Sequence, residues 1–197
     1  MNKSKESFAA PVVVLSAICL VVSLALAFTY KIANPIIVRN TEAAAVAARK
    51  QLLPEADQFT LVEDAEAQSS EDGKATVHEI YQAENGTGYV MTVETTSFGG
   101  VLTMMVGLNS EGSVTGVKVT EHADTPGVGT KNMDAVYLSQ YNGLTALTSA
   151  GNIKKEAAQL ASGGTFEFIS GASVSGQAIH SGVAAALSQY AAIGGAQ

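Results

Sequence analysis

Cysteine is almost absent from this chain: Cys19 is the only one, and it lies inside the longest apolar run. A single thiol excludes an internal disulfide framework, a thiolate metal centre and an iron–sulfur cluster held by this chain alone. Histidine is scarce too. His78, His122 and His180 show no metal-ligand spacing. His122 with Glu121 and Asp124 makes at best a weak cation site, and a solvated loop is the simpler reading. Positive charge is also short. From Asn40 onward the chain carries seven Lys and Arg against seventeen Asp and Glu. So acidic a domain does not seek nucleic acid or anionic lipid by charge. The Walker-type ending Gly-Lys-Ser/Thr and the spaced-glycine dinucleotide fingerprint are both missing, so no motif here holds a soluble nucleotide.

What is present begins with that apolar run. The 24 residues from Ser7 to Tyr30 include no charge. As a helix they would span roughly 36 Å, enough to cross a bilayer core. The stretch PVVVLSAICLVVSLALAF is apolar on every side, as a lipid-facing helix should be. A cleaved signal peptide would use Ala25-Leu26-Ala27 as its cleavage form, but the run is long for one and continues through Phe28 and Tyr30. A lipoprotein signal would want a small residue where Ile18 precedes Cys19. A retained signal anchor fits best, in contact with membrane lipid through residues 7–30. Charge does not orient it: Lys3 and Lys5 flank one end, while Lys31, Arg39, Arg49 and Lys50 flank the other.

A chain of 197 residues then leaves room for one soluble domain beside the anchor. Asn34-Pro35 predicts a break or kink in the first helix. Thr41 can cap a second helix, EAAAVAARKQLL, ending before Pro54. An acidic stretch with an Asp72-Gly73 turn signal follows. Four strand candidates come next: TVHEIYQAE, GYVMTVETTSF, VLTMMVGLN and SVTGVKVTEH. Each is rich in β-branched or aromatic residues and the turns between them are short, which predicts an antiparallel meander. ADTPGVGTKN is a loop by composition. Residues 133–160 read as helical, with breaks at Asn142-Gly143 and Gly151-Asn152. An extended piece, TFEFI, leads to Ser170. From Val174 the apolar spacing turns helical, with Val174, Ala178, Val183, Ala186 and Tyr190 on one face. The expected fold class is α+β, divided as 1–33 for the N-terminal tail and transmembrane anchor, 34–74 for a juxtamembrane helix and linker, and 75–197 for the main domain.

The segment FISGASVSGQAIH concentrates three serines and two glycines between Ser170 and Gly176. It ends a strand-like run and opens a helix, where the first N–H groups lack partners and the dipole is positive. Three readings stand. Ser173 could simply cap the helix. The same geometry suits a phosphate, with the hydroxyls of Ser170, Ser173 and Ser175 donating to it. Or Gly171-Ala172-Ser173-Val174-Ser175 could approximate a nucleophile elbow, although Ser175 replaces the final glycine and only His122 or His180 could serve as base.

Two segments taken together, EFISGASVSGQAI and EHADTPGVGTK, resemble the covalent-FMN-binding domain family. The first is similar to its flavinylation motif, Asp-x-x-Ser/Thr-Gly-Ala-Thr/Ser, and the second to its loop Glu-Thr-Pro-Gly-Leu-Gly. The strand run Ser97–Val119 and the single N-terminal membrane helix resemble the family as well. Within it, the resemblance is to the G subunits of Rnf ion-translocating electron transport complexes, which are related to the C subunits of sodium-pumping NADH:quinone oxidoreductases. The resemblance implies FMN joined by a phosphodiester to the Ser173 hydroxyl by a separate flavin transferase, with Glu167 taking the place of the aspartate that the transferase recognises. It implies that Ser170, Gly171, Ala172, Thr125, Pro126, Gly127 and Gly129 surround the cofactor, and that Lys131 offsets its charge unless it is merely solvated. It further implies other subunits of an Rnf-type complex as partners, a translocase role without turnover alone, and a flavin domain outside the cytoplasmic membrane. Asp124 stands where the family has glutamate. The alternative is a membrane-tethered structural or binding module of the same fold without flavin.

Overall fold

Apolar residues in a continuous run need no partner pattern to form a helix, and Ala9–Leu52 forms a single one, α1, in the computed structural model. The structure describes residues 9–63, 65–147 and 169–194. Pro35 lies inside α1, so the break expected there and the separate helix after Thr41 are corrected. A proline removes one backbone N–H and crowds one carbonyl. The Ala-rich sequence EAAAVAARKQL that follows is strongly helix-forming and carries the helix on. The chain divides into two compact units, residues 1–46 and 47–197. In the first, the large apolar side chains from Val12 to Val38 are exposed, and the helix is long and apolar enough to cross a membrane.

The second unit is built on a five-stranded antiparallel sheet in sequence order: β1 (Phe59–Leu61), β2 (Ala75–Ala83), β3 (Gly88–Ser97), β4 (Gly100–Asn109) and β5 (Val114–Glu121). The meander expected from the sequence is therefore present, with one strand more. β1 pairs Phe59 with Ala83 and Leu61 with Tyr81; three residues are too few to carry a legible alternation. Along β4, Leu102, Met104, Val106 and Leu108 are buried and share one face of the sheet. The helix α3 (Ser173–Ala192) lies across β2, β3 and β4. Its Ile179, Val183 and Ala186 join those residues in the core. Gly182 lets it approach closely, since a Cβ there would stand 2.6 Å from Met104 Sδ.

Alternation puts Gly107 on the opposite face of β4. It pairs with Gly116 of β5, and the two make a notch filled by Leu52: a Cβ on Gly107 would meet Leu52 Cβ at 2.9 Å, and one on Gly116 would meet Leu52 Cδ2 at 3.0 Å. Thr115 Oγ1 donates to the Leu52 carbonyl at 2.6 Å. Arg49 is buried with its guanidinium 3.5 Å over the Tyr81 ring, a cation–π contact.

The helical run expected over 133–160 is much shorter where it is described. A 3-10 turn, Gly129–Met133, leads into the four-residue α2 (Ala135–Leu138) and a second 3-10 turn, Ser139–Tyr141. The break at Asn142-Gly143 is present as a turn. Residues 148–168, including the second expected break, most of TFEFI and Glu167, lie outside the described residues.

Candidate functional site

Gly171 has φ +83°, a left-handed value open to glycine at little cost, and it turns the chain into α3. Ala172, not Ser173, is the N-cap residue, and no side-chain hydrogen bond caps the helix. Ser173 is the first helical residue and is exposed. The capping reading of Ser173 is thus replaced: its hydroxyl is spare, and the orphan N–H groups of the first turn have no side-chain acceptor from the cap position.

Ser173 lines a cavity of about 290 Å³. One wall is Gly171 to Ser175; Thr125, Val128 and Gly129 of the loop face it, and Phe98 from the β3–β4 turn completes it. So the two segments singled out in the sequence meet in space. Ser170, Pro126, Gly127 and Lys131 do not line the cavity, and all four are exposed. Gly127 has φ +75° with open space where a Cβ would be; its N–H donates to Thr130 Oγ1 at 2.8 Å and shapes the loop.

The third serine is engaged elsewhere. Ser175 is buried and its hydroxyl is hydrogen-bonded to the Asp124 carboxylate. Asp124 is itself only 4% exposed. It also accepts from Ser97 Oγ at 2.5 Å and from the Gly99 N–H at 2.6 Å. One carboxylate thereby ties together the β3–β4 turn, the TPGVG loop and the first turn of α3. Burial by itself raises its pKa; the three hydrogen bonds and the nearby His122 outweigh burial and leave it below the ordinary carboxylate value. The packing is close. A Cβ on Gly129 would stand 2.9 Å from Asp124 Cβ and from Ser175 Oγ, and one on Gly99 would stand 2.2 Å from the Ala123 carbonyl oxygen. Asn132, fully buried, adds a second tie, donating from Nδ2 to the Ala172 carbonyl at 2.8 Å and the Gly129 carbonyl at 3.4 Å.

Sequence reasoning placed Asp124 in a solvated loop and overlooked Ser97, Phe98, Gly99 and Asn132. One signal was available for Phe98: an aromatic residue beside a Gly-Gly pair in a hairpin turn has no core to enter. The weak cation site is not built, for Asp124 faces three donors, and among the described residues no group of His, Cys, Asp and Glu could hold a metal ion. Neither His122 nor His180 lines the cavity. His180 is buried, with its ring 6.0 Å from that of Tyr141, so among the described residues neither histidine stands at the cavity as the base of a nucleophile elbow.

Residues 97–188 match the FMN-binding domain family. The chain is 27% identical over 175 residues to the G subunit of the ion-translocating oxidoreductase complex of Stutzerimonas stutzeri, covering 88% of this chain and 76% of that protein. It is 29% identical over 187 residues to the G subunit of the Na(+)-translocating ferredoxin:NAD(+) oxidoreductase complex of Acetobacterium woodii, covering 90% and 88%. It is 24% identical over 194 residues to the G subunit of the proton-translocating ferredoxin:NAD(+) oxidoreductase complex of Clostridium ljungdahlii, covering 95% and 94%. A solved structure, that of the C subunit of the Na(+)-translocating NADH-quinone reductase from Parabacteroides distasonis, aligns with a TM-score of 0.48 at 15% identity over 72% of this chain and 79% of that one.

Proposed function

From the match of residues 97–188 to the FMN-binding domain family, we propose that the chain is a membrane-anchored electron-transfer subunit of an Rnf-type ion-translocating oxidoreductase, with FMN esterified through its phosphate to Ser173 Oγ. The observation that carries the attachment point is the division of labour among three serines. Ser175 is buried against Asp124. Ser170 is exposed away from the cavity wall. Ser173 alone of the three is both exposed and part of that wall.

The residues present suit the group. A phosphate diester at Ser173 stands at the start of α3, where unpaired N–H groups and the helix dipole favour an anion. No acidic residue occupies the first turn of α3. Val128, Val174 and Phe98 line the same cavity as Ser173 and offer apolar surface to a flat ring. A flavin supplies the redox chemistry when bound; the protein supplies position and electrostatics. Attachment by a flavin transferase forms the Ser173 Oγ–phosphorus bond and breaks the pyrophosphate of FAD, so that AMP leaves and the hydroxyl proton is lost. Other subunits of the complex are the donors and acceptors of its electrons, and the subunit is not expected to turn over alone.

Mass spectrometry of protein made with the transferase present tests this reading. The FMN increment should sit on the peptide containing Ser173 and disappear in Ser173→Ala. A Ser173→Ala protein that still carries the increment overturns the assignment. The soluble unit is assigned to the extracytoplasmic side. A cysteine at exposed Val136 in a Cys19→Ala background should therefore react with a membrane-impermeant maleimide in intact spheroplasts; reaction only after lysis would reverse the topology.

A further inference from the structure

We propose that Phe98, with Val128 and Val174, is the platform on which the isoalloxazine ring of the flavin rests, and that Asp124 holds that platform in place. The proposal depends on attachment at Ser173 as argued above. Phe98 is 76% exposed, and Val128 and Val174 are each 48% exposed. Single apolar residues at a surface need no explanation, but a cluster of them at one cavity does. These three come from three separate segments: the β3–β4 turn, the TPGVG loop and the first turn of α3. All three line the cavity that Ser173 lines.

The turn bearing Phe98 is not a loose hairpin tip. Ser97 before it and Gly99 after it both donate to Asp124, and Ser97 pairs with Gly100 in the β3–β4 ladder. Phe98 is thus bracketed by two bonds to one buried carboxylate, which also holds Ser175 two residues beyond Ser173. A rigid aromatic side chain kept largely in water forgoes its own burial. It regains that burial when a flat apolar partner covers it, and two π-systems meeting there favour offset or edge contact. The occupant is specified by the tether: a ring linked to Ser173 is confined to the neighbourhood of the wall that contains Ser173.

The sequence contains no tryptophan, so Phe98→Trp creates a single-tryptophan protein. An indole touching a photoexcited flavin donates an electron to it and quenches its emission, which phenylalanine does not do. In the full-length, flavinylated protein in detergent, Phe98→Trp should lower flavin emission and lifetime several-fold relative to wild type. Its tryptophan should be shielded from acrylamide, yet open to it when Ser173→Ala is added. Phe98→Tyr serves as the conservative second variant and should also quench. Val136→Trp, 84% exposed in the parent residue and outside the cavity wall, should leave flavin emission unchanged. Asp124→Asn combined with Phe98→Trp should restore part of the emission, because the platform is released. With the FMN mass confirmed on the Ser173 peptide, unquenched emission in both Phe98 variants overturns the platform, and so does equal quenching by Val136→Trp. Absence of the FMN mass from the wild-type peptide is a separate failure, that of the attachment reading, and removes the platform with it.

Discussion

Replacing Asp124 by asparagine keeps the shape and removes the charge at the point where three segments meet. Hydrogen bonds to a charged acceptor contribute about 1.5–3 kcal/mol each, against about 0.5–1.5 kcal/mol between neutral groups. Asp124 accepts from Ser97, Gly99 and Ser175. The asparagine oxygen can still accept from the Gly99 N–H while its amide nitrogen donates to the rotated Ser97 hydroxyl, so the contacts persist but lose their charge assistance. The expected loss is about 2–4 kcal/mol, which in a unit of this size lowers the melting temperature by roughly 5–12 °C. The pH dependence has a definite sign. The Asp124 pKa is lowered in the folded state, so its stabilisation is fully present above the ordinary carboxylate pKa. It is lost as pH falls through the depressed folded value. The gap between wild type and variant should therefore be full at pH 7 and close progressively below about pH 4. Thermal unfolding of the full-length protein in detergent, followed by the tyrosine signal in near-ultraviolet circular dichroism, measures both. A variant melting within about 1 °C of wild type at neutral pH, or a gap unchanged under acid, would refute the view that this carboxylate clamps the site.

Ser175→Ala removes one donor to Asp124 and should cost about 1–2 kcal/mol while leaving the FMN mass on the Ser173 peptide; loss of the mass would implicate Ser175 as acceptor. Gly99→Ala drives a methyl group into the Ala123 carbonyl and should lower flavin attachment as well as stability, read by intact mass and by melting. Leu52→Ala empties the Gly107–Gly116 notch and should cost about 2–5 kcal/mol in urea unfolding. A value near zero would mean that the end of α1 is not part of the domain core. Asp72, whose pKa is also lowered because bonds from Ser70, Ser181 and the Lys74 N–H outweigh burial, should give Asp72→Asn an acid-sensitive stability deficit of the same sign as Asp124→Asn.

Four of the five strands are legible in the sequence because each is long enough to show β-branched residues between turn signals, and Asn85-Gly86 or Glu111-Gly112 marks where the chain reverses. β1 is not, since a three-residue strand depends on its partner for existence. Pro35 misleads because a proline weighs heavily in local rules, whereas one lost hydrogen bond in a 44-residue helix does not end it. Ala172 and Ser173 exchange roles at the cap for a similar reason: composition places a cap within a residue or two, and backbone angles decide which residue it is. Val174, assigned to the buried face by spacing, is half exposed and lines the cavity instead.

The apolar segment, the antiparallel meander, the acidic character of the domain and the two Gly-rich segments all follow from residue order alone. They are properties of local composition, which need no knowledge of what lies opposite. Which serine is free is a different matter, and it took folding to settle it. Ser170, Ser173 and Ser175 are chemically alike; they differ because Asp124, about fifty residues earlier in the chain, captures one of them and a cavity wall includes another. The place of Phe98 at that wall has the same origin, since an exposed aromatic acquires a role only when the chain brings a loop and a helix end beside it.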